Sequence, residues 1–521
     1  GTSGSSGSSG TSGSSGSSGS SGTTTITNNA NNRVLTATGT STINGEANLT
    51  FNGTVLTVNQ NVTIGQNHSN SGYCSSILGG NCNKITGVAS SVIGGGFRNT
   101  ASAPTAGVFS GFNNTVSNCY GTIGGGQENT VSGTYSTIGG GLRNSVSGYY
   151  AGAFSGERNT VSGYHSFIGG GVRNTASAGC TSVGGGYLNN ITSAGPFAVI
   201  GGGRANKVNA DYATIGGGYL NCACADYSFI GGGFCNKVFN AENFGTIAGG
   251  CRNMVDADYG SIGGGTLNCV TGFGGRIGGG ILNCANGNYH FIGGGSKNTG
   301  SAINCGVITG GERNYAAACH IVIGGGFLNC IQSASACSAT ISGGSCNIIE
   351  GWAGCGSCYS TIGGGFKNCI NSATGSVAVS NTIAGGQINK ITAFVNNSTI
   401  GGGFGNFIAG LGGCPNSNGE KNSPHNTIGG GDRNTICDCN GLGKDNTIGG
   451  GSLNCIIGSC TTAAGKNCAT IGNTIGGGCL NRICGTGTGS EGEMNKYNVI
   501  GGGIGNCICN SGAFNVIAGG Y

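Results

Sequence analysis

Charge, proline and long apolar runs are all scarce in this chain of 521 residues. Only 7% of the side chains are charged, and 21 Lys and Arg against 16 Asp and Glu leave a net charge of +5. No basic run is dense enough to hold nucleic acid, so nucleic acid is not among the expected partners, and solubility must come from Asn, Ser and Thr. Glycine breaks every apolar run within a few residues, which excludes a membrane-spanning segment. The five histidines show no metal-ligand spacing, the acidic residues are scattered, and no Ser/His/Asp group is evident. The expectation is a non-enzyme without cofactor or metal.

What the chain has in excess is glycine, 118 residues of it, and order in where it falls. With the Ile, Val or Ala before the glycines as position zero, a unit I-G-G-G-x-x-N-x-V begins at 93, 108, 123, 138, 153, 168 and 183, every 15 residues. Later units keep that step or stretch it to between 16 and 28 residues. Position +6 is always Asn, beginning with Asn99, Asn114, Asn129, Asn144, Asn159 and Asn174, and position +8 is apolar except at Gly300. A helix would place its apolar residues three and four apart and would lose roughly 1 kcal/mol at each glycine. Two short strands per unit, each sending one bulky residue inward, fit instead an all-β repeat of β-solenoid or β-roll type with about 15 residues per coil. Stacked coils then place the six asparagines named above in a structural ladder, at a turn that Asn tolerates. Tyrosine recurs at −3, as at Tyr120, Tyr135 and Tyr150, and reads as rings stacked on a flank.

Four regions follow. Residues 1–22 hold Gly at every third position, a Gly-X-Y period. A flexible Gly/Ser linker has the same composition, and the run contains no proline, but the strict phase favours a collagen-like segment, hence a trimer. Residues 23–72 alternate apolar and polar side chains between Asn-Gly turns at Asn44-Gly45 and Asn52-Gly53, as a β-rich adaptor does. Residues 73–340 are the regular solenoid, and 341–521 are solenoid with long loop insertions.

The wording NNRVLTATGTSTINGEANLTFNGTVLTV is similar to linker segments of phage tail and virion fibre proteins, which often carry collagen-like runs. The I-G-G-G-x-x-N-T-V-S-G-x-Y-S pattern, as at 123–136, resembles the head repeats of trimeric autotransporter adhesins and related viral fibres. That resemblance implies a trimeric β-roll. The 28 cysteines and the insertions depart from those heads, and neither a heptad stalk nor a membrane β-barrel is seen, so the export route is not carried over. A thin core points the same way: two aliphatics per coil supply about 4–5 kcal/mol against ordering 15 residues at roughly 1 kcal/mol each.

Cysteines follow the ladder Asn at seven positions, among them Cys269 and Cys284, one period apart. Adjacent coils would bring this pair within disulfide range, which suits an extracellular protein. Buried free thiols are the rival reading, and a metal site a third. Insertions cluster after residue 323, between the second strand and the next Ile. The first long one carries the only Trp, Trp352, with Tyr359 close by in sequence, and these two are candidate receptor contacts. Three functions compete. The first is a homotrimeric attachment fibre on a virion or cell surface that recognises a surface glycan or protein receptor. The second is a structural extracellular filament or matrix protein. The third is an ice-binding solenoid, which would need two Thr ranks on one face and finds them on opposite sides.

Overall fold

The computed structural model describes residues 25–27, 33–37, 42–51 and 56–58, and residues 61–521 apart from 87–88, 240–242, 302–304, 333–336, 352–356, 373–378, 393–394, 411–422, 439–442, 459–469, 486–494 and 510–512. The Gly-X-Y run lies outside the described residues. All described regular structure is strand, so no helix there is long and apolar enough to cross a membrane. The chain forms two compact units, residues 1–141 and 142–521.

The first unit opens with a mixed four-stranded sheet. Its ten-residue strand Thr42–Phe51 pairs in parallel with Thr25–Thr27 and antiparallel with Arg33–Ala37 and Leu56–Val58. From Val62 onward the pattern changes to a parallel β-solenoid, and Val62–Thr63 already pairs with Ser76–Ile77 of the next coil. The second unit is a β-solenoid of the same kind, from Ser145–Val146 to Val516–Ile517.

Each coil has three sides. One is a two-residue strand ending at position zero, such as Thr122–Ile123. The next is a single bridging residue at +4, such as Gln127. The third is a second short strand at +7 and +8, such as Thr130–Val131. Every side pairs with its equivalent in the neighbouring coil, Thr122 with Thr137 and Thr115 with Thr130. Alternation then sends positions zero and +8 inward, and Ile123, Val131 and Ile138 are wholly buried. Two corners turn through left-handed backbone at non-glycine residues, +5 and −3: Glu128 has φ 54° and Tyr135 φ 58°. Such a residue costs on the order of 1 kcal/mol. A backbone hydrogen bond to the preceding coil offsets it, from Glu128 N–H to Phe112 O (2.8 Å) and from Tyr135 N–H to Cys119 O (3.1 Å).

The three glycines are not equivalent. At +2 a side chain would project into open space, as at Gly140 and Gly279. At +3 the backbone is left-handed, with φ 89° at Gly126, and a Cβ would strike the Gly141 carbonyl oxygen. Glycine accordingly holds +3 in every coil from Gly96 to Gly503.

The asparagine ladder forms as expected and is buried. Asn114, Asn129, Asn159 and Asn174 have no solvent exposure. Asn99 shows the bonding: its Oδ1 accepts the Asn114 N–H (3.0 Å), and its Nδ2 donates to Gly95 O and to Gly111 O in the next coil, both at 2.9 Å. Asn144 and Asn159 repeat it, Asn159 N–H donating to Asn144 Oδ1 at 3.0 Å. Upstream, His68 stands in for Asn, its Nδ1 accepting the Asn83 N–H at 3.1 Å. The interior of a coil is thus two aliphatics and a fully hydrogen-bonded amide, rather than aliphatics alone.

Two irregularities have local causes. Gly300, the exception at +8, makes room for the buried His290 imidazole, which a Cβ at Gly300 or at Gly306 would strike. In the later coils position −2 changes to Asn and a second amide ladder starts. Asn446, Asn473, Asn498 and Asn515 each donate their N–H to the Oδ1 of the Asn before, from Asn426 on, at 2.9–3.1 Å.

Candidate interaction edge

The corner at −3 carries the longest stacked run of exposed aromatic side chains among the described residues. Because its backbone is left-handed at each coil, the side chain is aimed outward, and the coil repeat sets the spacing of successive rings. In the second unit Phe197, Tyr212, Tyr227, Phe244 and Tyr259 form one column, with centroids 4.8–5.0 Å apart and planes within 13°. Their exposure is 44–53%, a continuous apolar strip. In the first unit Tyr120 and Tyr135 stack at 4.6 Å. The sequence pattern exposed the tyrosines of this rank. It missed the phenylalanines, which share the position and differ only in lacking the hydroxyl.

The column is interrupted once. Gly274 occupies −3 in the coil after Tyr259, and the vacated place is taken from −4 by Phe273, edge-on to Tyr259 and to Tyr289 at 5.4 Å each. An open groove of about 740 Å³ results, lined by Tyr259, Phe273, Arg276, Tyr289, His290 and Phe291. It offers aromatic faces and one guanidinium. A lesser strip follows the +4 corner, where the Arg204 guanidinium lies between the Tyr187 and Tyr219 rings at 5.5 and 5.2 Å.

The long insertions leave the coil on the same stretch, between +9 and −3. From Tyr315 onward the second strand lengthens to three or four residues, as in Cys369–Asn371 and Phe407–Gly410, and pairs one rank further at Gln332, Glu350 and Asn371. Glu350 is held there by Gln332 Nε2 (3.1 Å) and Asn371 Nδ2 (3.2 Å). Trp352 lies outside the described residues. Tyr359 sits at −3 with φ 55°, 66% exposed, its N–H on Cys337 O at 2.9 Å.

Threonine fills −1 in seven successive coils, Thr340, Thr361, Thr382, Thr399, Thr427, Thr447 and Thr474, in register throughout. The +7 rank of those coils, on another side, carries Ile348, Cys369, Lys390, Phe407, Cys455 and Arg482, with Thr435 its one threonine. The result is a single Thr file, more regular than the sequence pattern suggested.

The cysteines fall into files as well. Cys269 and Cys284 are directly opposed in the ladder, both thiols free and half-buried. A hydrogen bond between them lowers the pKa of Cys284 and raises that of Cys269, because the Cys269 S–H is donated to the Cys284 sulfur. Cys319, Cys337 and Cys358 share rank −4 in consecutive coils, and burial together with the neighbouring sulfurs pushes the Cys337 thiol up. Cys330, Cys369 and Cys455 are pushed up to about 11, chiefly by burial. Cys222 and Cys224, two apart on one stretch, are disulfide-bonded. Among the described residues one group of three metal-capable side chains converges, Cys484, Cys507 and Cys509.

No protein-family model matches this chain, and no curated protein is significantly similar to it.

Proposed function

We propose that this chain is a non-enzymatic extracellular fibre protein that assembles as a homotrimer and mediates attachment from a virion, phage or cell surface to a glycan or protein receptor. The observation that carries the reading is the confinement of length variation to one corner. The spacing from −1 to +8 is the same in every coil, while the stretch from +9 to −3 supplies the aromatic column in the regular coils and the insertions in the later ones. A scaffold of constant coils with insertions at one corner is what repeat proteins use for recognition. Because the Ile and Val at positions zero and +8 are already buried within the chain, any inter-chain packing must use outer surface. A strip of half-exposed rings longer than a monomer normally leaves in water is suited to that. Insertions such as the one bearing Trp352, and Tyr359 beside it, then carry receptor contact.

The test is attachment by the purified full chain to candidate host surfaces, compared with variants in which residues 352–356, 411–422, 459–469 or 486–494 are replaced by short Gly-Ser links. Loss of attachment with the coils intact by circular dichroism is expected, and full attachment by all four variants would refute the reading. A structural filament is the second reading, favoured by amide and thiol files that serve durability alone. It predicts open-ended assemblies.

A further inference from the structure

Three thiols meet where the coil anchored at Ile475 stacks on the coil anchored at Ile500. The strands Arg482–Cys484 and Cys507–Cys509 pair in parallel, with Cys484 opposite Cys509 and Arg482 opposite Cys507. Ile483 and Ile508 point into the core between them, so alternation puts Cys484, Cys507 and Cys509 on the same outer face. The Cys509 sulfur is 2.7 Å from that of Cys484 and 2.6 Å from that of Cys507, and all three lie within 4.8 Å of one another.

A covalent sulfur–sulfur bond satisfies only one of the two contacts of Cys509. A metal ion engages all three sulfurs. With metal–sulfur bonds of about 2.3 Å, an ion at the centre of three sulfurs sets them about 4 Å apart, so Cys484 and Cys507 each draw back from Cys509 by about 1.3 Å on binding, a shift that side-chain rotation supplies. No imidazole or carboxylate belongs to the group. An all-sulfur donor set selects soft ions over hard ones. Three donors without a fourth suit an ion content with trigonal coordination, and zinc, which is almost always tetrahedral, would need water to complete its shell.

We propose that Cys484, Cys507 and Cys509 form a binding site for one soft d10 cation, with monovalent copper the ion that fits. On binding, three S–H bonds break, three protons leave to solvent, three sulfur–metal bonds form and no electron is transferred. The Arg482 guanidinium, opposite Cys507 in the strand register, offsets part of the resulting negative charge. The ion adds a side-chain tie between two adjacent coils that the backbone pairing and the asparagine ladders already join.

The test uses the reduced full chain, kept anaerobic and titrated with Cu(I) against a chelator of known affinity, with near-ultraviolet thiolate–copper absorption as a second readout. Compared with the parent, the variant carrying Cys484→Ser, Cys507→Ser and Cys509→Ser loses the tightest equivalent, whereas the Cys269→Ser, Cys284→Ser control retains it. Cys507→Ser alone weakens that equivalent at least tenfold. Because Cys507 is exposed, this single variant decides the matter even if the triple variant fails to fold. Equal tight binding by parent and triple variant would overturn the proposal. So would unchanged affinity in Cys507→Ser, or recovery of a Cys484–Cys509 disulfide by mass mapping from the copper-loaded protein.

Discussion

Replacing one ladder asparagine opens the solenoid locally and by a calculable amount. Asn268 is fully buried. Its Oδ1 accepts the Asn283 N–H at 3.0 Å, and its Nδ2 donates to Gly264 O and Gly280 O, both at 2.9 Å. In Asn268→Ala the Asn283 N–H and the Gly264 carbonyl lose these partners in the interior, while Gly280 O keeps the Thr266 N–H at 2.9 Å. Two stranded groups at about 1–3 kcal/mol each make a loss of about 2–6 kcal/mol. Contacts in a solenoid are between neighbours, so the loss is confined to coils near the substitution. Native-state hydrogen exchange reads it directly: about 2–6 kcal/mol corresponds to amides near Asn283 exchanging roughly 30- to 25,000-fold faster. The Asn268→Asp variant separates charge from shape. Its carboxylate would face two carbonyl oxygens, which raises the folded pKa above the unfolded value of about 4. Its stability is therefore fully present below about pH 4 and is lost as pH rises through the raised folded pKa. Exchange near Asn283 unchanged within threefold in Asn268→Ala, or raised equally in distant coils, would refute the reasoning.

The glycine ranks separate in the same coil. Gly279→Ala is expected to leave the thermal midpoint unchanged, and Gly280→Ala to lower it sharply, since only Gly280 combines φ 89° with a neighbouring carbonyl in the path of a Cβ. At the aromatic corner, Tyr227→Ala removes two stacks at 4.9 Å and should cost about 1 kcal/mol in urea unfolding. Tyr227→Gly should cost less than Ala, because φ is 56° there, the reverse of the usual order. Alkylation at pH 8 followed by peptide mass spectrometry should modify Cys284, its pKa lowered by the Cys269 thiol, well before Cys369, pushed up to about 11 by burial. Equal rates would contradict the hydrogen-bonded pair.

The period, the inward ranks and the asparagine ladder were legible in the sequence because every coil makes the same contacts, so selection of one side chain repeats at a fixed step. Asn99 and Val116 announce their positions in this way. The left-handed corner at +5 was not legible, since Glu128, Arg158 and Leu188 share no chemistry and only their backbone is constrained. Within the glycine triplet, nothing in the letters separates the obligatory third residue from the free second. His290 and Gly300 explain each other only in three dimensions, as a ring and the space it fills. The convergence of Cys484 with Cys507 and Cys509 was hidden by the insertion between them, and only the strand register brings them together. Insertions obscure spacing while leaving register intact.

The most direct test of the fibre reading is the solution mass of the full chain by light scattering, before and after reduction. A trimer of three times 50.6 kDa is expected in both states, because the surface proposed to join the chains is the aromatic strip rather than thiols. A mass of 50.6 kDa under both conditions would leave a single self-contained solenoid and contradict the trimeric fibre.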